Sequence, residues 1–137
     1  MLLIKRLTET STTPTKANSS DAGFDLYSDE DVIIKSGESV LVSTGVAMAI
    51  PENHAGLIWD RSSMGVKGIH RFAGVVDSGY RGEVKVCLFN TGEDYKIVRG
   101  DRIAQILIQP VPNIELIEVE DLNDTERGIG GFGSSGK

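Results

Sequence analysis

Apolar positions in this chain come in short runs rich in β-branched residues, and polar or glycine-bearing stretches separate them. The runs include Val32-Ile33-Ile34, Val40-Leu41-Val42, Val46 to Ile50, Gly56 to Trp59, Gly74-Val75-Val76, Val84 to Phe89, Ile103 to Ile108 and Ile114 to Val119. Between them lie Ser36-Gly37, Pro51-Glu52-Asn53, Asn90-Thr91-Gly92, Arg99-Gly100-Asp101 and Pro110-Val111-Pro112-Asn113. These residue types favour turns, because they supply positive φ, a fixed φ or a side chain that bonds its own backbone. Strand-length runs between closely spaced turns predict an all-β sandwich or barrel. Helical periodicity is weak throughout. Only Ser62 to Gly68 suggests a helical turn, with Ser62 or Ser63 as its cap.

The last segment breaks the pattern. Asn123 to Arg127 is polar, and Gly128 to Lys137 is mostly glycine and serine. Such a stretch has little to bury, so it reads as a mobile arm. The expected organisation is therefore one domain over residues 1–122 and a flexible arm over 123–137. No repeat and no linker divides the domain.

Bulk charge narrows the partners. A net charge of −6 over 137 residues argues against a nucleic-acid footprint, which needs a basic face. A phosphate-bearing small molecule remains open, because a few arginines and backbone amides suffice for it. No apolar run approaches the length of a membrane span, and the first residues do not read as a signal peptide. The single cysteine, Cys87, cannot build an internal disulfide and lies in a strand-like run. It reads as a packing residue in a reducing compartment such as the cytoplasm.

Five segments carry chemistry. Asp21-Ala22-Gly23-Phe24-Asp25-Leu26-Tyr27-Ser28 places two carboxylates around a glycine, which a solvated turn would also do. Arg61-Ser62-Ser63-Met64-Gly65 is a small polar cluster led by a cation. Gly74 to Val84 reads as a hairpin with two apolar arms, in which Asp77 follows a buried-type strand. A carboxylate held in a partly dry place there would make a useful base. Gln105 interrupts an apolar strand, so its amide either satisfies the fold or faces a ligand. In the arm, Gly128 to Gly133 and Gly131 to Lys137 fit two glycine-rich phosphate motifs, yet both motifs work through a following helix, and none follows here. The residue types still suit a polyphosphate: Arg127 can bind bidentately, Ser134 and Ser135 can donate, Gly133 exposes its backbone, and Phe132 offers a ring face.

Taken in this order, the five segments resemble the five motifs of the trimeric dUTPase family, and the resemblance spans nearly the whole chain. It implies a jelly-roll-like β-barrel or sandwich subunit in a homotrimer, with active sites at subunit interfaces. It implies Mg²⁺-assisted hydrolysis of dUTP to dUMP and pyrophosphate, a reaction that keeps uracil out of DNA and supplies dUMP. Carried onto matching positions, it makes Asp77 the residue that activates the attacking water. Gly74, Val75 and Val76 would meet the uracil edge, and Tyr80 the deoxyribose. Arg61, Ser62, Ser63 and Gln105 would line the phosphates, and Asp25 would orient water around the metal. Arg127, Phe132, Gly133, Ser134 and Ser135 would close over the nucleotide.

Two departures stand out. The stretch Val66 to Ala73 is short for the family, and Arg71 falls where a small or amide residue often sits. His70 reads as structural. The related dCTP deaminase family shares the fold but needs a glutamate on the strand after the hairpin, where Lys85 to Asn90 offers none. A nucleotide-gated binding module without catalysis is the alternative from another class.

Overall fold

The structure is a computed structural model that describes residues 1–134 and 136. Ten strands form in chain order: β1 (Leu3–Arg6), β2 (Phe24–Tyr27), β3 (Val32–Ile34), β4 (Ser39–Ala49), β5 (His54–Trp59), β6 (Ile69–Phe72), β7 (Val75–Asp77), β8 (Glu83–Asn90), β9 (Tyr95–Ile97) and β10 (Arg102–Pro110). One short helix, α1 (Ser62–Val66), lies between β5 and β6. Two four-stranded sheets run in the orders β1-β4-β8-β6 and β2-β10-β5-β7, and β3 pairs with β9. All paired strands are antiparallel.

The all-β expectation holds, and β8 shows why. Val84, Val86, Leu88 and Asn90 are buried while the residues between them are not. That period of two places every second side chain on the inner face. The inner faces of both sheets meet in one core, where Leu26, Val42, Ile58, Val86, Leu88 and Ile106 are buried together. Asn90 is fully buried but satisfied. Its amide donates to the Ile34 and Glu93 carbonyls, and its oxygen accepts from the Gly92 N–H. A buried amide with fewer partners would cost about 1–3 kcal/mol.

Three local expectations need correction. The helical turn forms, but Arg61 occupies the N-cap position and no side chain caps it. The segment from Gly74 to Val84 is not a ladder-forming hairpin. Its first arm, β7, pairs with β5 in one sheet, and its second arm, β8, pairs with β4 and β6 in the other. The connection crosses from sheet to sheet, so the arms splay apart. Finally, the run Ile114 to Val119 forms no strand, and its apolar side chains are exposed. The last strand ends at Pro110, and that run has no strand neighbour among the described residues.

A polar network pins the outer side of β4. The Thr8 hydroxyl donates to Asp29 at 2.6 Å, and Arg99 approaches the same carboxylate at 3.8 Å. Burial pushes the Asp29 carboxyl up, but the Thr8 hydrogen bond and the Arg99 charge outweigh it and leave its pKa lowered. Burial likewise pushes Glu83 up. The hydroxyl of Ser43, the N–H of Gly45 and the charge of Lys85 reverse that shift. Both carboxyls therefore lie below their unfolded values. Their contribution to stability is present above the unfolded pKa values and is lost as pH falls through the folded ones. The urea midpoint should stay level from pH 7 to about 5 and fall below about pH 4.5, the ordinary glutamate value. A Glu83→Gln chain should fall less steeply over the same titration.

Candidate active site

The splayed arms enclose a cleft of about 380 Å³. Gly74, Val75, Val76 and Asp77 form one wall, and Glu83, Val84 and Lys85 form the other. Ile58 contributes from β5, and Tyr80 stands at the connection. The Ile58 N–H donates to the Gly74 carbonyl at 2.8 Å, which fixes the start of β7 against β5. β7 is the last strand of its sheet, so its second edge has no strand partner among the described residues. An unpaired strand edge presents N–H and C=O groups in a fixed pattern, ready to pair with a planar ligand edge.

Asp77 is exposed, contrary to the partly dry setting expected for it. The reason is its position: it ends an edge strand and opens a turn, closed by the Tyr80 N–H donating to its carbonyl at 3.1 Å. Within one chain, nothing from the sandwich folds over this carboxylate.

A second group of residues meets at β2, β10 and the start of α1. The register places Gln105 between Asp25 on β2 and Trp59 on β5. Arg61 donates through Nε to Asp25 at 3.0 Å and reaches the Ser63 hydroxyl at 3.4 Å. Arg102, not assigned a role from sequence, lies 3.4 Å from the other oxygen of Asp25. Two guanidinium groups thus share one carboxylate, leaving a local surplus of one positive charge on an acidic protein. Such a surplus suits a phosphate chain. Gln105 donates from its amide nitrogen to the Asp60 carbonyl at 2.9 Å, so the fold uses part of its polar capacity. Ser62 is exposed beside this group.

Arg71 stays out of the cleft. Its guanidinium lies over the Trp59 ring at 4.7 Å, and its N–H donates to Asp60 at 2.8 Å. His70 also pairs with Asp60, in keeping with a structural role.

The arm stands apart from both groups. The Arg127 guanidinium donates to the nearby Gly130 carbonyl at 2.8 Å, and the Ser134 N–H donates to the Gly131 carbonyl at 3.0 Å. Gly133 shares this local turn, and Phe132 is fully exposed. Ser135 lies outside the described residues. The sequence-derived residues thus fall into three sets: the cleft, the cationic cluster and the arm. One chain assembles the first two internally but does not bring the arm to either. Arg102 was legible only through the strand register, since its place beside Asp25 depends on β10 lying against β2.

As to metals, the described residues contain no cluster of three or more His, Cys, Asp or Glu side chains suited to holding an ion. Both oxygens of Asp25 already face arginines. The donor set therefore does not fit an all-protein cage, and fits an ion carried mainly by a ligand's own oxygens. No helix among the described residues is long and apolar enough to cross a membrane.

A two-sheet β-sandwich with a cleft along a free strand edge and a separate cationic cluster defines an all-β protein with room and charge for a phosphate-bearing small molecule. The dUTPase family model matches residues 9–136. A Nocardia farcinica deoxyuridine 5'-triphosphate nucleotidohydrolase is 47% identical over 97% of this chain and 84% of its own length. The Paramecium bursaria Chlorella virus 1 enzyme of the same name is 45% identical over 98% and 97%. The Staphylococcus bacteriophage 80alpha dUTPase, a G164S mutant with dUpNHpp, superposes with a TM-score of 0.95 at 30% identity, over 100% of this chain and 99% of that one. For a phage phi11 dUTPase mutant, coordination of a structural Mg(II) ion has been described. The chain belongs to the dUTPase family of hydrolases.

Proposed function

We propose that this protein hydrolyses dUTP to dUMP and pyrophosphate at sites shared between the subunits of a homotrimer. The observation that carries this reading is the cleft between the splayed arms, with a free strand edge along one wall and Asp77 at its end. The backbone from Gly74 to Val76 pairs with the uracil edge. The close wall leaves no room for the 5-methyl of thymine, and the donor pattern mismatches cytosine. Unpaired polar groups are the stronger of these two penalties. Tyr80 packs against the deoxyribose and excludes a 2′-hydroxyl.

Asp77 takes a proton from a water in line with the α-phosphorus. The water oxygen bonds to that phosphorus as the bond to the α–β bridging oxygen breaks, and pyrophosphate leaves. The arrangement acts chiefly by placing the water in line with the bond that breaks. Arg61, Ser62, Ser63 and Gln105 line the phosphates, with Arg102 adding charge beside Asp25. Asp25 would help hold Mg²⁺ through water beside the triphosphate oxygens, and the ion would supply charge neutralisation for the leaving pyrophosphate. Arg127, Gly133, Ser134 and Ser135 clamp the outer phosphates, and Phe132 covers the base as the arm, residues 123–137, closes.

The trimer explains two features that one chain leaves open. Asp77 is exposed, and the arm touches neither site group. Ile114, Leu116, Ile117 and Leu122 are also exposed, which suits burial against a neighbouring copy.

The test is pyrophosphate release with Mg²⁺ against dUTP, dCTP, dTTP and UTP in parallel. Release from dUTP alone is expected. Comparable release from dCTP with ammonia would indicate the deaminase branch. No release from any substrate would favour the binding module.

A further inference from the structure

We infer that Glu83 is a positioning residue that sets sugar selectivity, by fixing the backbone on which Tyr80 rests. The inference builds on the proposed role of Tyr80 at the deoxyribose.

Strand β4 contains an irregularity opposite Glu83. Its register with β8 shifts between the Ser43–Lys85 and Ala47–Glu83 pairs. Gly45 lies inside that shift with φ of +64°, a left-handed backbone that disfavours other residues. A side chain there would also come within 2.6 Å of Asp29 and Ser11. One face of the bulge is thus closed by packing. Its other face is closed by the Glu83 carboxylate, which accepts from the Gly45 N–H at 2.9 Å and from the Ser43 hydroxyl. Lys85 approaches the second oxygen at 3.5 Å.

The same residue meets Tyr80 through its backbone. The Tyr80 hydroxyl donates to the Glu83 carbonyl at 2.9 Å. The ring lies so near Gly82 that a Cβ there would come within 2.4 Å of the hydroxyl oxygen. The seat of Tyr80 is therefore the backbone of residues 82 and 83, and the Glu83 side chain anchors that backbone to the β4 bulge. Selectivity by shape requires a wall that does not yield, because a wall that shifts makes room for the extra oxygen. The Glu83 side chain, bound to Ser43 and Gly45, supplies the rigidity and does not need to touch the nucleotide.

The experiment compares kcat/KM for dUTP and UTP in wild type, Glu83→Ala, Ser43→Ala and Tyr80→Ala, with circular dichroism to check folding. Ser43→Ala removes one hydrogen bond of the anchor and leaves the cleft wall intact, so it serves if Glu83→Ala folds poorly. Glu83→Ala should lower the dUTP preference about tenfold, within the range that steric discrimination spans. Ser43→Ala should lower it less, and Tyr80→Ala more. KM for dUTP should rise more than kcat falls. A purely structural role would reduce both substrates equally and leave the ratio unchanged. A relaxed ratio in Tyr80→Ala with an unchanged ratio in both Glu83→Ala and Ser43→Ala would overturn the inference alone. An unrelaxed Tyr80→Ala, or no turnover in wild type, would overturn the underlying reading and the inference with it.

Discussion

Asp77→Asn should abolish turnover while leaving the fold and dUTP binding in place. The carboxamide matches the carboxylate in shape but cannot accept a proton from water. Loss of a positioned general base costs about 10²–10⁴ in rate. Asp77 is exposed at the end of β7, so the exchange should change stability by no more than about 0.5 kcal/mol. Removal of one negative charge near a triphosphate should, if anything, tighten binding. Steady-state pyrophosphate release and calorimetric titration with dUTP separate the two effects. Rates like those of the wild type would refute the assignment of the base.

Truncation after Glu126 should produce the second large effect. The hydrogen bonds of residues 127–134 are local turns, so their removal should leave the sandwich as stable as before. Catalysis should fall about 100-fold or more, because Arg127 and the serines proposed to hold the outer phosphates would be gone. Light scattering should still report a trimer. A monomer or an unfolded product would show that the arm belongs to the scaffold and not to a lid.

Much of this was legible from local pattern. The β-branched runs foretold the strands, and along β8 the buried side chains alternate in the structure. The polarity and glycine content of 123–137 suggested a mobile arm, and among the described residues of that segment no strand forms. Pairing partners were less legible, since the same alternation serves any sheet. Hence Gly74 to Val84, with two apolar arms around a turn, read as one hairpin. The chain instead delivers its arms to opposite sheets. Ile114 to Val119 read as a strand for the same reason, but strand formation needs a neighbour that its own chain does not offer. Asp77 was expected to be partly dry, because burial of Val75 and Val76 was read from residue type alone. Val75 is in fact 70% exposed, on an edge that sequence cannot identify.

The splayed arms tie substrate choice to the interior. The gap between them is set by the separation of the two sheets, and that separation is set by side-chain volume in the core. Ile58 and Val84 belong to both: each is almost wholly buried, and each lines the cleft. Adding or removing a methyl group at either position changes sheet spacing in a close-packed interior. On the proposed function, discrimination among nucleobases can therefore drift through substitutions at buried positions, and a stable, well-folded variant can be a less selective one.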